Sequence, residues 1–553
     1  MFDKNLSKLN NIRLKEKLKS IPFSECSEDV AFVNTLDGNV VFLKDDIPTE
    51  DTERPIEYAK SLVTQTIKSF KHNDVVINIG FGVGYVLDEL FSSTKSKIVV
   101  YEPDIKYLRF IFETVDLSEY LSDRRVYISD NEKECIDFVL KNYLNEDKLE
   151  FVISKIQAIF YKDEIKSFTE ALYNNLKSKI IDVNTIKTLS KKWVNNIIDF
   201  INLDKKHFAI QDFTQKFSGK SALVLGAGPS LLENIEHIKS MQDKFVIFAG
   251  NRALKTLEKY NIVPDFAVFS DSIHIKKTYT LSEEYTSKLN IIMDFKSDTS
   301  IAELNSKNLI VYFSDNESFL RKYSNDLGLK LLPSEQTTTI QAFMCANYMD
   351  FEKVYFCGFD LAFRDNSTIY ADDKTLDITS NTAVIEREEK HLVQVPSING
   401  KQVLTREDYS VFIKTMESII KTKGLKNIFN ITNFGAYIEG MSYTSFDSIN
   451  IYGTKPDIDM IIKDTPFCKK EFKKYIEKER VAIIEIHENI LNRVPISIVA
   501  KKIIASSTLL FEYMQSEFLD YSRNPNANEA VDIFYSKAIL AIDILLNKIK
   551  YYA

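Results

Sequence analysis

Between residues 219 and 360 the chain alternates short apolar runs with helical stretches: SALVLGAG, KFVIFAGN, DFAVFSDS, NIIMDF, NLIVYFSD and KVYFCGFD follow one another. A strand that is apolar along its whole length needs cover on both faces, and helices between successive strands supply it. The pattern predicts an α/β region built on a mostly parallel, doubly wound sheet. In sheets of this kind ligands bind at the carboxyl ends of the strands.

The rest of the 553 residues is organised around that region. At about 150 residues per domain the length predicts three or four domains. Residues 1–70 read as a small N-terminal module, where AFVNTL and NVVFLK flank Asp37-Gly38, a hairpin turn signal. Residues 71–205 open as VVINIG, FGVGYVLDEL and KIVVYEPD, a Rossmann-like strand, glycine loop, helix and strand. They close on KKWVNNIIDFINL, an amphipathic connector. The central α/β domain is expected over 206–445. Residues 446–553 carry helical periodicity and read as a C-terminal helical domain.

Composition narrows the function classes. The net charge is -8 with both signs mixed and no basic block, which argues against nucleic acid as a partner. The five cysteines, Cys26, Cys135, Cys345, Cys357 and Cys468, are odd in number and include no Cys-x-x-Cys pair. A disulfide framework or zinc site is not expected, and a reducing compartment fits. The start, MFDKNLSKLN, lacks the apolar core of a signal peptide. No apolar run approaches the ~18 residues of a membrane span; ISIVAKKIIASSTLLF is broken by Lys501 and Lys502. A cytoplasmic protein is expected. No metal site is expected either: Asp457-Ile458-Asp459 reads as a solvated helix start, and the six histidines are scattered.

The stretch SALVLGAGPSLLENI carries the most chemistry. A strand runs into Gly226-Ala227-Gly228-Pro229-Ser230 and a helix follows. Gly226 permits a tight turn, and Gly228 lets another backbone or a phosphate come close. Pro229 suits the first helical turn, whose N–H groups favour an anion. The alternative is a tight β–α turn without a ligand. A dinucleotide dehydrogenase is disfavoured, because Leu231 replaces the third glycine of that fingerprint and Gly250-Asn251-Arg252 replaces the acidic ribose ligand. Ser270, Asp271 and Ser272 end one strand, and Gly358 and Asp360 end another. These groups converge on one crevice, or Asp271 and Asp360 simply cap the next segments. Ser334, Thr337 and Thr338, in Pro333–Thr339, precede an apolar helix; they form a carboxylate cradle or a plain N-cap.

Together these residues resemble a known group. GAGPSL, GNRAL with VPDFAVFSDS, TTTIQAF, VYFCGFDLAF, GKQVLT and NITNFGAYIEGM resemble the central domain of the motility accessory factors over about 215–442. That domain is in turn similar to bacterial sialyltransferases. The resemblance implies a sialyltransferase-like catalytic domain over 206–445. It also implies transfer of pseudaminic, legionaminic or a related nonulosonic acid from a CMP-activated donor to Ser or Thr of flagellin, with no further cofactor. Tyr370 and His391 fall near the sialyltransferase phosphate-binding Tyr and general-base His. Leu361-Ala362 departs from that pattern, which has a second Tyr there, so phosphate binding by two tyrosines is not expected.

The mechanism so implied places the donor phosphate on Gly226–Ser230. Asn251 with Asp271 or Ser272 holds the cytidine or the sugar, and the 334–339 hydroxyls hold the carboxylate. His391 or Asp360 acts as base. Three rivals are kept: a hydroxymethylpterin-type pyrophosphokinase, a non-catalytic flagellin-binding protein, and a methyltransferase. The last rests on Gly80-Phe81-Gly82-Val83-Gly84 with Glu102, 22 residues after Gly80, a spacing that fits a ribose-binding acid; no catalytic set follows, and the domain reads first as a scaffold or partner-binding unit that retains the turn. The sequence leaves the oligomeric state open, a homo-oligomer included.

Overall fold

The computed structural model describes residues 1–553 except 28–29, 68–69, 71–73, 144–146, 274–279, 336, 365–370, 372–391, 452, 524–527 and 550–553. The chain divides into two units, Met1–Ile186 and Lys187–Ala553. The division falls inside a 42-residue helix, Lys162–Leu203.

In the first unit β1 (Val30–Asn34) and β2 (Val40–Lys44) pair antiparallel around Gly38, whose φ of +83° suits a tight hairpin. β3 (Ile47–Pro48) adds to β2. A parallel sheet follows, built from β4 (Val75–Ile79), β5 (Lys97–Tyr101), β6 (Val126–Ser129) and β7 (Leu149–Val152) in the order β6-β5-β4-β7. β4 is buried throughout because successive side chains enter different cores. Val76 joins Ala59, Val63, Leu87 and Leu90 on one face. Val75, Ile77 and Ile79 join Ile136, Val139 and Phe168 on the other.

The second unit is built on a larger sheet. Its strands are β8 (Phe208–Ala209), β9 (Ser221–Leu225), β10 (Val246–Gly250), β11 (Phe266–Phe269), β12 (Asn290–Asp294), β13 (Asn308–Tyr312) and β14 (Lys353–Cys357). The β15 (Leu392–Pro396) and β16 (Gln402–Arg406) hairpin stands apart, and β17 (Ile428–Ile431) and β18 (Ser442–Thr444) complete the sheet. Among the described residues the order is β18-β17-β14-β9-β10-β11-β12-β13-β8, and every neighbouring pair is parallel. The order reverses direction at β9, between β14 and β10, so the loop after β9 opens at the switch point of the sheet.

Both faces of this sheet are covered, as the apolar runs require. Leu223, Leu225, Ile247, Ile291 and Val311 pack with Ile476, Ile483, Leu510 and Leu545 of the helices beyond residue 470. Ala222, Val224, Phe248, Val268 and Ile292 pack with Ile340, Phe343, Met416 and Ile462 on the opposite side. Among the described residues no helix is long and apolar enough to cross a membrane.

The first unit's glycine loop is filled by its own protein. Gly80 and Gly82 have φ of +86° and +60°, and a Cβ at either would collide with the Gln157 or Glu50 side chain. Glu50 Oε1 accepts from Val83 N at 3.1 Å, while Oε2 is buried without a partner. Glu102 Oε2 accepts from Phe81 N at 2.7 Å, and its Oε1 accepts from Asp104 N at 3.0 Å and from the Tyr161 hydroxyl. The acid expected to hold a ribose is therefore fully buried and engaged by the loop it follows.

Burial raises Glu50 to about 8 and Glu102 to about 7, above the ordinary carboxyl range. A raised folded-state pKa means that the protonated form is the one the fold favours. That stability is complete below the unfolded-state value and is withdrawn as pH climbs through about 7 to 8. Glu50→Gln keeps the shape and cannot ionise. Its melting temperature relative to wild type is expected to rise from about pH 5 to about pH 8 and then level off; a difference independent of pH would refute the buried, proton-bearing Glu50.

Candidate functional site

The loops at the carboxyl ends of β9, β10, β11 and β14 enclose a cavity of about 210 Å³. Its base is a backbone knot. Gly226 N donates to Cys357 O at 2.9 Å and Gly228 N donates to Gly358 O at 2.8 Å. A Cβ on Gly226 would run into Gly358 O, and one on Gly228 would lie 2.5 Å from Asp360 Oδ2. Gly358 itself has φ +74°. The glycines thus serve the close approach of two strand-end loops.

Asp360 ties that knot. Its Oδ2 accepts from Ser230 N at 2.9 Å, and its Oδ1 accepts from the Thr432 hydroxyl at 2.9 Å. Its main-chain carbonyl accepts from Ala436 N at 2.9 Å. The start of the short helix Pro229–Glu233 is therefore already met by a carboxylate. Burial lifts the Asp360 carboxyl to about 6, against the downward pull of the Ser230 and Thr432 bonds. The Ser230 hydroxyl faces the same knot, accepting from Gly358 N at 2.9 Å.

A second helix supplies the positive end. Thr337 caps the 11-residue helix Thr338–Tyr348 by accepting from Thr339 N, and Thr337, Thr338 and Thr339 line the cavity. The Ser270 and Thr338 hydroxyls lie 3.1 Å apart. Asn251 is buried and donates to Asp271 Oδ2 at 2.8 Å, so the β10 and β11 ends share one polar wall. Arg252 follows on that wall.

The remaining wall comes from the β15–β16 hairpin and from the helix that follows it, Glu407–Lys423. Phe363 N donates to Leu404 O at 2.9 Å and the Thr405 hydroxyl donates to Leu361 O at 2.6 Å, which pins the hairpin to the loop after β14. Arg406 at its end grips Asp408 through Nε at 3.0 Å and an η nitrogen at 2.8 Å. Arg406, Asp408, Tyr409 and Phe412 all face the cavity. Leu361, also on the wall, holds a φ of +47°, an unfavourable conformation for a leucine.

Of the residues singled out from sequence, Gly228, Asn251, Asp271, Thr337, Thr338, Gly358 and Asp360 line the cavity. Gly226, Pro229 and Ser230 build the turn beneath it. Ser272 is buried outside the lining, its carbonyl accepting from Asn196 Nδ2 at 3.1 Å. Ser334 also lies outside the lining. Tyr370 and His391 fall outside the described residues. Sequence reasoning missed Arg406, Asp408, Tyr409 and Phe412, which sit in no motif; Arg252 was in view only as the neighbour of Asn251. Among the described residues no group of three or more His, Cys, Asp or Glu is arranged to hold a metal ion.

The architecture is shared with a solved structure. The "MAf glycosyltransferase from Magnetospirillum magneticum AMB-1" superposes with a TM-score of 0.63 at 14% identity, covering 100% of this chain and 96% of that one. This chain has the Maf glycosyltransferase fold. A family described as "6-hydroxymethylpterin diphosphokinase MptE-like" matches residues 195–366, which hold the β9 turn, the Thr337 cap and Asp360. An uncharacterized protein of Treponema pallidum (strain Nichols) is 29% identical over 137 residues, 24% of this chain; the match spans 62% of that relative's length.

Two substitutions test the knot. Gly228→Ala drives a methyl group against Asp360 and Gly358, and is expected to cost about 1–3 kcal/mol. Thr432→Val strips one donor from a buried carboxylate and is expected to cost about 1–3 kcal/mol. Urea unfolding measures both; wild-type stability in either variant would break the assignment of Asp360 as the tie.

Proposed function

We propose that this chain is a glycosyltransferase that moves a nonulosonic acid from a CMP-activated donor to Ser or Thr of flagellin. The observation that carries the reading is the cavity at the switch point, where a helix N-terminus, Arg252 and Arg406 meet Asn251 and Asp271. Such a donor carries a phosphate and a carboxylate on either side of the bond that breaks. A helix N-terminus and two guanidinium groups are suited to both anions. The amide of Asn251 suits a base or sugar hydroxyl. Tyr409 and Phe412, with ring centroids 5.7 Å apart, offer an apolar wall beside them.

Because Asp360 already meets the Ser230 N–H, the donor phosphate goes to the Thr337–Thr339 end of the cavity. The acceptor hydroxyl attacks the anomeric carbon, and the bond to the phosphate oxygen breaks with its electron pair leaving on CMP. The acceptor proton passes to a base. Asp360, ionised above about pH 6, is the described candidate, and His391 is the other.

A second reading is favoured by the match over 195–366: diphosphate transfer from a nucleotide to a pterin alcohol in the same cavity. Isothermal titration separates the two. CMP is expected to bind wild type, and Asn251→Ala and Thr338→Val are each expected to weaken it about tenfold, the worth of one lost hydrogen bond. Turnover of ATP with hydroxymethylpterin, and no affinity for CMP, would decide for the rival.

The base is tested by a pH profile of transfer. If Asp360 takes the proton, activity rises through about pH 6 and Asp360→Asn removes that limb. A profile whose midpoint survives in Asp360→Asn assigns the proton to another group.

A further inference from the structure

The second unit holds another cavity, away from the strand ends, with a volume of about 480 Å³. Its walls come from the turn 204–207 and the segment 468–474, joined where Cys468 N donates to His207 O at 2.8 Å. Six lysines line it: Lys205, Lys206, Lys469, Lys470, Lys473 and Lys474. Asp204 and Glu471 are the acids among them. The chain as a whole is acidic, with a net charge of -8, so this concentration of ammonium groups does not follow from bulk composition.

Local stability does not account for it either. Lys473 and Lys474 occupy the first turn of the 20-residue helix Phe472–Leu491, which has no acid in that turn and no side-chain cap from Glu471. The helix dipole disfavours cations at that position. Some lysines are held: Lys470 Nζ donates to Gly328 O at 3.3 Å, Lys473 lies 3.5 Å from Asp204, and Lys205 reaches the carbonyls of Ala302 and Leu304. Lys469 and Lys474 are exposed and have no ion-pair partner among the described residues. The His207 ring closes the wall, with Nδ1 2.9 Å from Lys205 O and Nε2 buried without a partner.

We infer that this cavity binds a small molecule bearing two or more phosphate groups. An anion there relieves repulsion among the lysines and between the lysines and the helix end. The volume is that of a small-molecule site. Lysine binds phosphate as a mobile point charge and does not demand a fixed fork of acceptors, which fits linked phosphates better than a lone carboxylate. The site shares no residue with the strand-end cavity, and the inference does not depend on the proposed transfer reaction.

Isothermal titration of the full chain with pyrophosphate at low salt tests this. Wild type is expected to bind with a Kd of about 1 mM or tighter. Because both side chains are exposed and Lys474 opposes the helix dipole, Lys469→Glu with Lys474→Glu is expected to fold with a melting temperature no lower than wild type while weakening binding at least about tenfold. Excess CMP should leave the pyrophosphate in place. Absence of binding, wild-type affinity in the double variant, or displacement by CMP overturns the inference. So does a poly-glutamate peptide that binds where pyrophosphate does not, since that marks a protein-docking surface.

Discussion

A single buried carboxylate holds the strand-end site together. Asp360 joins the loop after β14 to the Pro229–Glu233 helix through Ser230, and to the segment after β17 through Thr432 and Ala436. These segments are distant in sequence and adjacent only because the sheet reverses direction at β9. A charge so deeply placed is expensive unless hydrogen-bonded, and removing one of its donors leaves it uncompensated. The same burial that raises its pKa makes the group structurally demanding, so one side chain sets both the shape of the site and its response to pH.

Much of this was legible in the residues. Continuous apolar runs fixed the parallel, doubly covered sheet, because a strand buried on both faces cannot alternate polar and apolar positions. The glycine-rich turn was legible too, but whether another backbone or a phosphate approaches it was left open. What the local pattern could not reveal was which group fills the space. From sequence, a phosphate and a carboxylate are equally suited to a helix start; the fold puts Asp360 there from 130 residues away. Arg406 and Tyr409 were hidden because the β15–β16 hairpin, with the helix Glu407–Lys423 behind it, reaches the site through the Phe363 main chain and the Thr405 side chain, and neither contact leaves a spacing to detect.

In the first unit a glycine motif serves packing within the protein. Gly80, Gly82 and Glu102 stand where a nucleotide-binding turn needs them, and their backbone takes the positive φ that such turns require. Yet Glu50 and Gln157 occupy the space above the glycines, and Glu102 spends its oxygens on Phe81, Asp104 and Tyr161. The spacing is satisfied by contacts internal to the unit. A glycine pattern therefore reports close packing first, and a ligand only where the space above it is open.

Leu361 carries a consequence of its own. A leucine twisted into the left-handed region stores about 1–3 kcal/mol that the surroundings must counterbalance. The hairpin clamp at Thr405, whose hydroxyl donates to the Leu361 carbonyl, is one of the contacts that do so. A side chain that broke the clamp would let Leu361 relax toward the usual region, so the outline of that wall depends on a bond made from 44 residues away.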